Sequence, residues 1–105
     1  MLNKDYKLRY LPVFYDDLYG AVTYIRTKLK NPDAADRLID KVEEAILERT
    51  SCAESFEPYP STRKRELPYY PIYVNNFIIF YVVIDHEIME VRRFLYQRQN
   101  KDKII

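Results

Sequence analysis

The 105-residue chain carries 17 Lys and Arg against 16 Asp and Glu, with 48% apolar and 31% charged residues. That balance fits one soluble globular domain with a single hydrophobic core and argues against disorder. A lone glycine, Gly20, removes glycine-rich phosphate loops from consideration, and a lone cysteine, Cys52, permits neither an internal disulfide nor a cysteine-based zinc site.

Lys4, Asp5 and Lys7 interrupt any apolar run at the amino terminus, and no segment approaches transmembrane length. A cytoplasmic protein with no membrane partner is the expectation. The net charge of +1 conceals a polarity. Residues 16–57 hold six Lys/Arg against ten Asp/Glu, whereas residues 89–105 hold five against two. A basic end of this kind suits a polyanion, although two ordinary solvated surfaces would give the same counts.

Residues 5–11 alternate, with Tyr6, Leu8 and Tyr10 on one side and Lys7 and Arg9 on the other, which predicts a half-buried strand. Pro12 suits the first turn of a helix. Leu18, Ala21, Val22, Ile25 and Leu29 then fall on one helical face, and the helix should stop before Pro32. Asn31-Pro32-Asp33 restarts the chain, with Asn31 as N-cap and Pro32 at the first helical position. Ala35, Leu38, Ile39, Val42 and Ile46 form the second apolar face. So short a connection predicts an antiparallel helical hairpin.

Four prolines between residues 55 and 71 mark a loop or edge strand, and Arg63-Lys64-Arg65 lies within it. A short strand over 69–74 precedes the most informative stretch, residues 76–100. There, eight consecutive apolar residues, Phe77 to Ile84, read as a buried strand, Asp85-His86 as a turn, and Ile88 to Leu95 as its antiparallel partner. The second strand ends in Arg92, Arg93, Tyr96, Gln97 and Arg98. The order is β-α-α-β-β-β, an α+β fold in which a helical hairpin packs on one face of a small antiparallel sheet, leaving the other face partly uncovered.

At this point the chain resembles the RelE/ParE family of toxins from type II toxin–antitoxin systems, over nearly its whole length. The resemblance runs through L-x-x-A-V-x-x-I (Leu18 to Ile25), N-P-x-A-A-x-x-L-I-D (Asn31 to Asp40), N-x-I-I-F-Y-x-V (Asn76 to Val83) and R-x-L-Y-x-R-x-N (Arg93 to Asn100). It implies a small toxin neutralised by a cognate antitoxin encoded beside it. Members similar to RelE cut messenger RNA on the ribosome, and members similar to ParE poison DNA gyrase. Fold alone does not separate them.

The resemblance places a ribosome-dependent, metal-independent messenger RNA endonuclease first, with no cofactor and no metal. The alternatives are a non-enzymatic gyrase inhibitor and an inactive fold kept for binding. Cleavage without a metal needs a base, an acid and cationic donors for the phosphorane charge. Arg93 matches the family's arginine and would clamp phosphate; its bland reading is a surface arginine lying over the sheet. Strict alternation puts it beside Val91 and Leu95, so a bulge or the strand end must free it. Tyr96 stands where relatives carry His or Tyr, as acid–base group, as stacking platform, or as a structural tyrosine. Arg65 is the third catalytic candidate, with Arg63, Lys64 and Arg98 as RNA or phosphate contacts. Two departures are visible: Tyr70 stands where many relatives have an arginine, and Tyr96-Gln97-Arg98-Gln99 lacks the usual Gly and second Arg.

Overall fold

The computed structural model describes residues 5–60, 65–99 and 101. The chain enters through strand β1 (Lys7–Tyr10), whose residues alternate in exposure as their polar and aromatic side chains do. Pro12 then opens helix α1 (Pro12–Thr23) at the one position where a missing N–H costs nothing. This helix continues into a π-helical turn, Tyr24–Lys28, in which the Leu29 N–H donates to the Tyr24 carbonyl five residues back. Lys30, at φ 51°, turns the chain out of the helix. Asn31 caps helix α2 (Pro32–Arg49), its side-chain oxygen accepting from the Ala34 N–H at 3.1 Å.

After α2 the chain crosses to strand β2 (Tyr70–Val74) and returns twice through hairpins to give β3 (Phe77–Ile84) and β4 (Ile88–Tyr96). Asp85 and His86 both take positive φ, and the Glu87 N–H closes the turn onto the Ile84 carbonyl at 3.0 Å. Asp85 and His86 are the two central residues of this turn, and Glu87 is one further residue before Ile88 pairs with Ile84.

The strand order is β1-β4-β3-β2. The α+β arrangement is the one the sequence implies, and the sheet is mixed rather than antiparallel throughout. β2 and β4 both run against β3, and β1 lies alongside β4 in the same direction, Lys7 opposite Ile88 and Tyr10 opposite Val91.

Both helices cover one face of this sheet. Ala35, Leu38, Val42 and Ile46 are the buried row of α2 and meet a continuous core of Ile79, Tyr81, Met89 and Val91. Ile39 and Leu29, which share those faces by periodicity, are exposed, while Phe14 is buried ahead of the predicted row. The Tyr81 hydroxyl, inside this core, donates to the Ala53 carbonyl at 2.6 Å and accepts from Arg49 Nη1 at 2.9 Å. Burial of the phenol raises its pKa, against the opposing pull of Arg49. Through this bond the chain beyond α2 is tied to the central strand. The opposite face holds a smaller cluster, Ile78, Phe80 and Leu95, over which Tyr59 and Tyr69 pack.

Candidate functional site

One irregularity in β4 arranges the site. Phe80 pairs with Arg93 but Tyr81 pairs with Val91, so Arg92 is an extra residue in the strand. A bulge of this kind breaks strict alternation and re-aims side chains. Val91 and Phe94 both belong to the helix-side core, and the doublet between them, Arg92-Arg93, is released from it. The two arginines then part company.

Arg93 turns to α1. Its Nε donates to Asp17 Oδ2 at 2.7 Å and its Nη2 to Asp17 Oδ1 at 2.9 Å, a two-pronged ion pair with little exposure on either side. The same Oδ2 accepts the backbone N–H of Phe94 at 3.0 Å. β1 ends at Tyr10, opposite Val91, so beyond that point Asp17 supplies the acceptor that a neighbouring strand would have given. The hydrogen bond that it donates to Asp17 is the main reason the guanidinium holds its proton more tightly than usual.

Arg93 and Asp17 line a groove of about 670 Å³ between α1 and the end of β4, together with Tyr24, Phe77, Tyr96 and Gln99. The Tyr96 ring lies on Phe77, centroids 4.5 Å apart, and its backbone N–H is taken by Gln99 Oε1 at 2.8 Å. Arg98 is exposed and lines a separate cleft with Asn75, Asn76 and Gln97, just past the strand end.

Arg92 goes to the open face. Its Nε donates to Glu90 Oε1 at 2.9 Å and its Nη1 to the Tyr69 hydroxyl at 3.3 Å. Glu90 is only 5% exposed and its other oxygen is held by Arg9, at 2.7 Å from Nε and from Nη2. Burial pushes the Glu90 carboxyl up, but the bonds from Arg9 and Arg92 outweigh it and hold the pKa below the ordinary carboxylate value. Arg65 lies above the same tyrosine, its Cζ 4.6 Å from the Tyr69 ring centroid.

The described sequence candidates therefore fall into three places, with Arg98 in the cleft past the strand end. Arg93 and Tyr96 share the α1 groove, whereas Arg65 sits on the open face. Arg63 and Lys64 lie outside the described residues. The open-face group also contains Arg92, Tyr69 and Glu90, to which sequence reasoning assigned no role. The Arg-Arg doublet was the available signal, since two adjacent arginines in an otherwise apolar strand must either split across the sheet or sit at a bulge. Among the described residues no cluster of three His, Cys, Asp or Glu side chains is placed to hold a metal. None of their helices is long and apolar enough to cross a membrane.

The family model described as "ParE toxin of type II toxin-antitoxin system, parDE" matches residues 8–101. Among solved structures, a chain of the chromosomal ParDE TA system from P. aeruginosa superposes with a TM-score of 0.71 at 14% identity, covering 87% of this chain and 95% of that one. No curated protein matches the sequence.

Proposed function

Because this chain belongs to the ParE toxin family of type II toxin–antitoxin systems, we propose that it is the toxic half of such a pair, held in check by an antitoxin, and that it acts by obstructing DNA gyrase rather than by cutting RNA. The observation that carries the choice is that Arg65 lines a different pocket from Arg93 and Tyr96, and that Arg93 is already engaged by Asp17. Metal-free cleavage asks a base, an acid and a cationic donor to meet at one phosphate. Here Arg93 has both prongs on Asp17 and Tyr96 lies against Phe77, while Arg65 lines a different pocket. A toxin that works by occupying a surface needs no such convergence, and gyrase is the target that the ParE-like branch of the resemblance implies.

One observation favours the ribonuclease as a second reading. Arg65 and Arg92 both lie near the ring of one tyrosine, Tyr69, on the open face, and an aromatic ring with two guanidinium groups is chemistry that can hold a nucleotide. The two readings separate in a paired assay on one preparation of purified toxin. The expected result is loss of supercoiling by gyrase, with messenger RNA intact in a purified translation system. Cleaved messenger with normal supercoiling would reverse the order of the two.

A further inference from the structure

The open-face pocket contains a defect repeated nowhere else among the described residues. Arg65 Nε and Nη2 are shut off from solvent and have no hydrogen-bond acceptor among the described residues. These two nitrogens form one edge of the guanidinium, the edge that elsewhere in this protein Arg93 gives to Asp17. A desolvated cation with two parallel donors unmet is costly to maintain, and its natural complement is a planar acceptor with two oxygens. The side chain lines a pocket of about 230 Å³ with Glu66, Leu67, Tyr69 and Arg92. Tyr69 fixes the plane of the guanidinium from one side, and Arg92 is itself already engaged by Glu90 and the Tyr69 hydroxyl.

We propose that this pocket is a socket for one carboxylate side chain of a protein partner, an Asp or Glu that docks edge-on to Arg65, and that the antitoxin carries it. The identity of the partner rests on the toxin reading above; the carboxylate chemistry rests on the arginine. The surrounding charges favour a single carboxylate over a nucleic-acid strand. Glu66 stands in the pocket wall and Glu90 just behind it, so the positive charge left for a ligand is small. A strand of RNA or DNA would also carry its neighbouring phosphates past Glu66. The volume of about 230 Å³ suits a side chain. The two donors are covered in the free protein, so docking has to displace what covers them.

The test uses the toxin co-purified with the product of the adjacent gene, its dissociation constant measured across a range of salt. Arg65→Gln should weaken the complex by about tenfold and flatten its salt dependence. Arg65→Lys, which keeps charge but loses the fork, should recover only part of the loss. Arg65→Glu should weaken binding further, and one Asp or Glu→Arg change in the antitoxin should restore it. Melting temperature of each free toxin controls for folding. Wild-type binding with no change in any Arg65 variant would overturn the socket while leaving the toxin reading intact. Failure of wild-type toxin to bind the neighbouring product would overturn both. Tightened binding of a labelled single-stranded RNA by wild type relative to Arg65→Gln, with the antitoxin complex unaffected, would reassign the pocket to phosphate.

Discussion

The two faces of the sheet are built from the same strands but finished in different ways. Toward the helices, every strand contributes to one apolar layer and its polar atoms are satisfied within it, as the Tyr81 hydroxyl is by Ala53 and Arg49. Away from the helices, Ile78, Phe80 and Leu95 are buried just as thoroughly, yet among the described residues no helix or strand covers them. Two tyrosines close over them, Tyr59 and Tyr69, and beyond these stands a row of charges, Arg9, Glu90, Arg92 and Arg65. The difference teaches that β3, apolar in all eight positions, is not sandwiched between two layers. One side is sealed by helices and the other by a proline-bearing loop, so that loop is part of the core before it is part of any site.

The comparison can be broken most forcefully on the helical side. Leu38→Pro or Val42→Pro removes a buried side chain and a helix hydrogen bond together, and each should cost about 3 kcal/mol or more, enough to unfold a marginal domain. Asp36→Ala, on the exposed side of the same helix and paired only with Arg26 at the surface, should fall within about 0.5 kcal/mol. Equal damage in a thermal melt would mean that α2 turns a different face to the sheet.

On the open side, Phe80→Ala measures whether two tyrosines can stand in for a layer. Phe80 is fully buried, with the Tyr59 ring edge-on at 5.0 Å and Tyr69 at 6.0 Å. A loss of about 3 kcal/mol in urea unfolding is expected, as for a phenylalanine in an ordinary core. A loss under about 1 kcal/mol would show that the tyrosines follow the cavity inward and that this face is loosely held.

Much of this was legible beforehand. Asn31-Pro32 announced the start of α2 because cap and first-turn proline act locally, within three residues. Asp85-His86 announced the turn for the same reason. What the sequence did not disclose depends on distant partners. The parallel pairing of β1 with β4 joins segments about eighty residues apart, and no local pattern encodes it. The bulge at Arg92 decides where both arginines point: alternation alone sets Arg93 in line with Val91, and the bulge sets it opposite Phe80 instead, at the strand end beside α1. Asp17, near the start of α1, is the counter-ion of Arg93, a pairing across 76 residues that no local pattern announces. The motif arginine is therefore occupied, and the arginine with unmet donors is Arg65.

That exchange of roles gives a third prediction, intermediate in size. Asp17→Asn takes the acceptor from Arg93 and weakens the bond to the Phe94 N–H, both in a poorly solvated place, and should cost about 1–3 kcal/mol. Arg93→Gln should cost a similar amount by stranding Asp17. A double-mutant cycle should show strong coupling, so that the pair together loses less than the two changes added. Additivity would place the two residues out of contact in solution. The same cycle warns that growth arrest relieved by Arg93→Ala reads folding as well as toxicity, unless the variant's melting temperature is measured beside it.

The smallest effect lies where β1, the β3–β4 turn and the chain after α2 come together. Tyr6 donates its hydroxyl to Glu54 Oε1 at 2.7 Å, and His86 Nδ1 stands 2.7 Å from the other oxygen. The bond to Tyr6 is the chief reason the Glu54 pKa is lowered from 4.5, with His86 adding to it against the desolvation of the carboxyl. The same bond is the chief reason the Tyr6 pKa is pushed up to about 12 from 10.0. The signs are opposite and so are the consequences. A carboxylate depressed on folding contributes stability above pH 4.5 and loses it as the pH falls through the lower folded value. A phenol raised on folding contributes fully below pH 10.0 and loses its share as the pH climbs through about 12. Tyr6→Phe should therefore lower stability by no more than about 1 kcal/mol across the neutral range, solvent screening trimming the rest. It should also leave the acid limb shallower and remove the alkaline loss between pH 10.0 and about 12. Urea midpoints taken from pH 3 to pH 12 would show it, and a Tyr6→Phe curve parallel to wild type at both ends would mean that the Tyr6–Glu54 bond does not hold in solution.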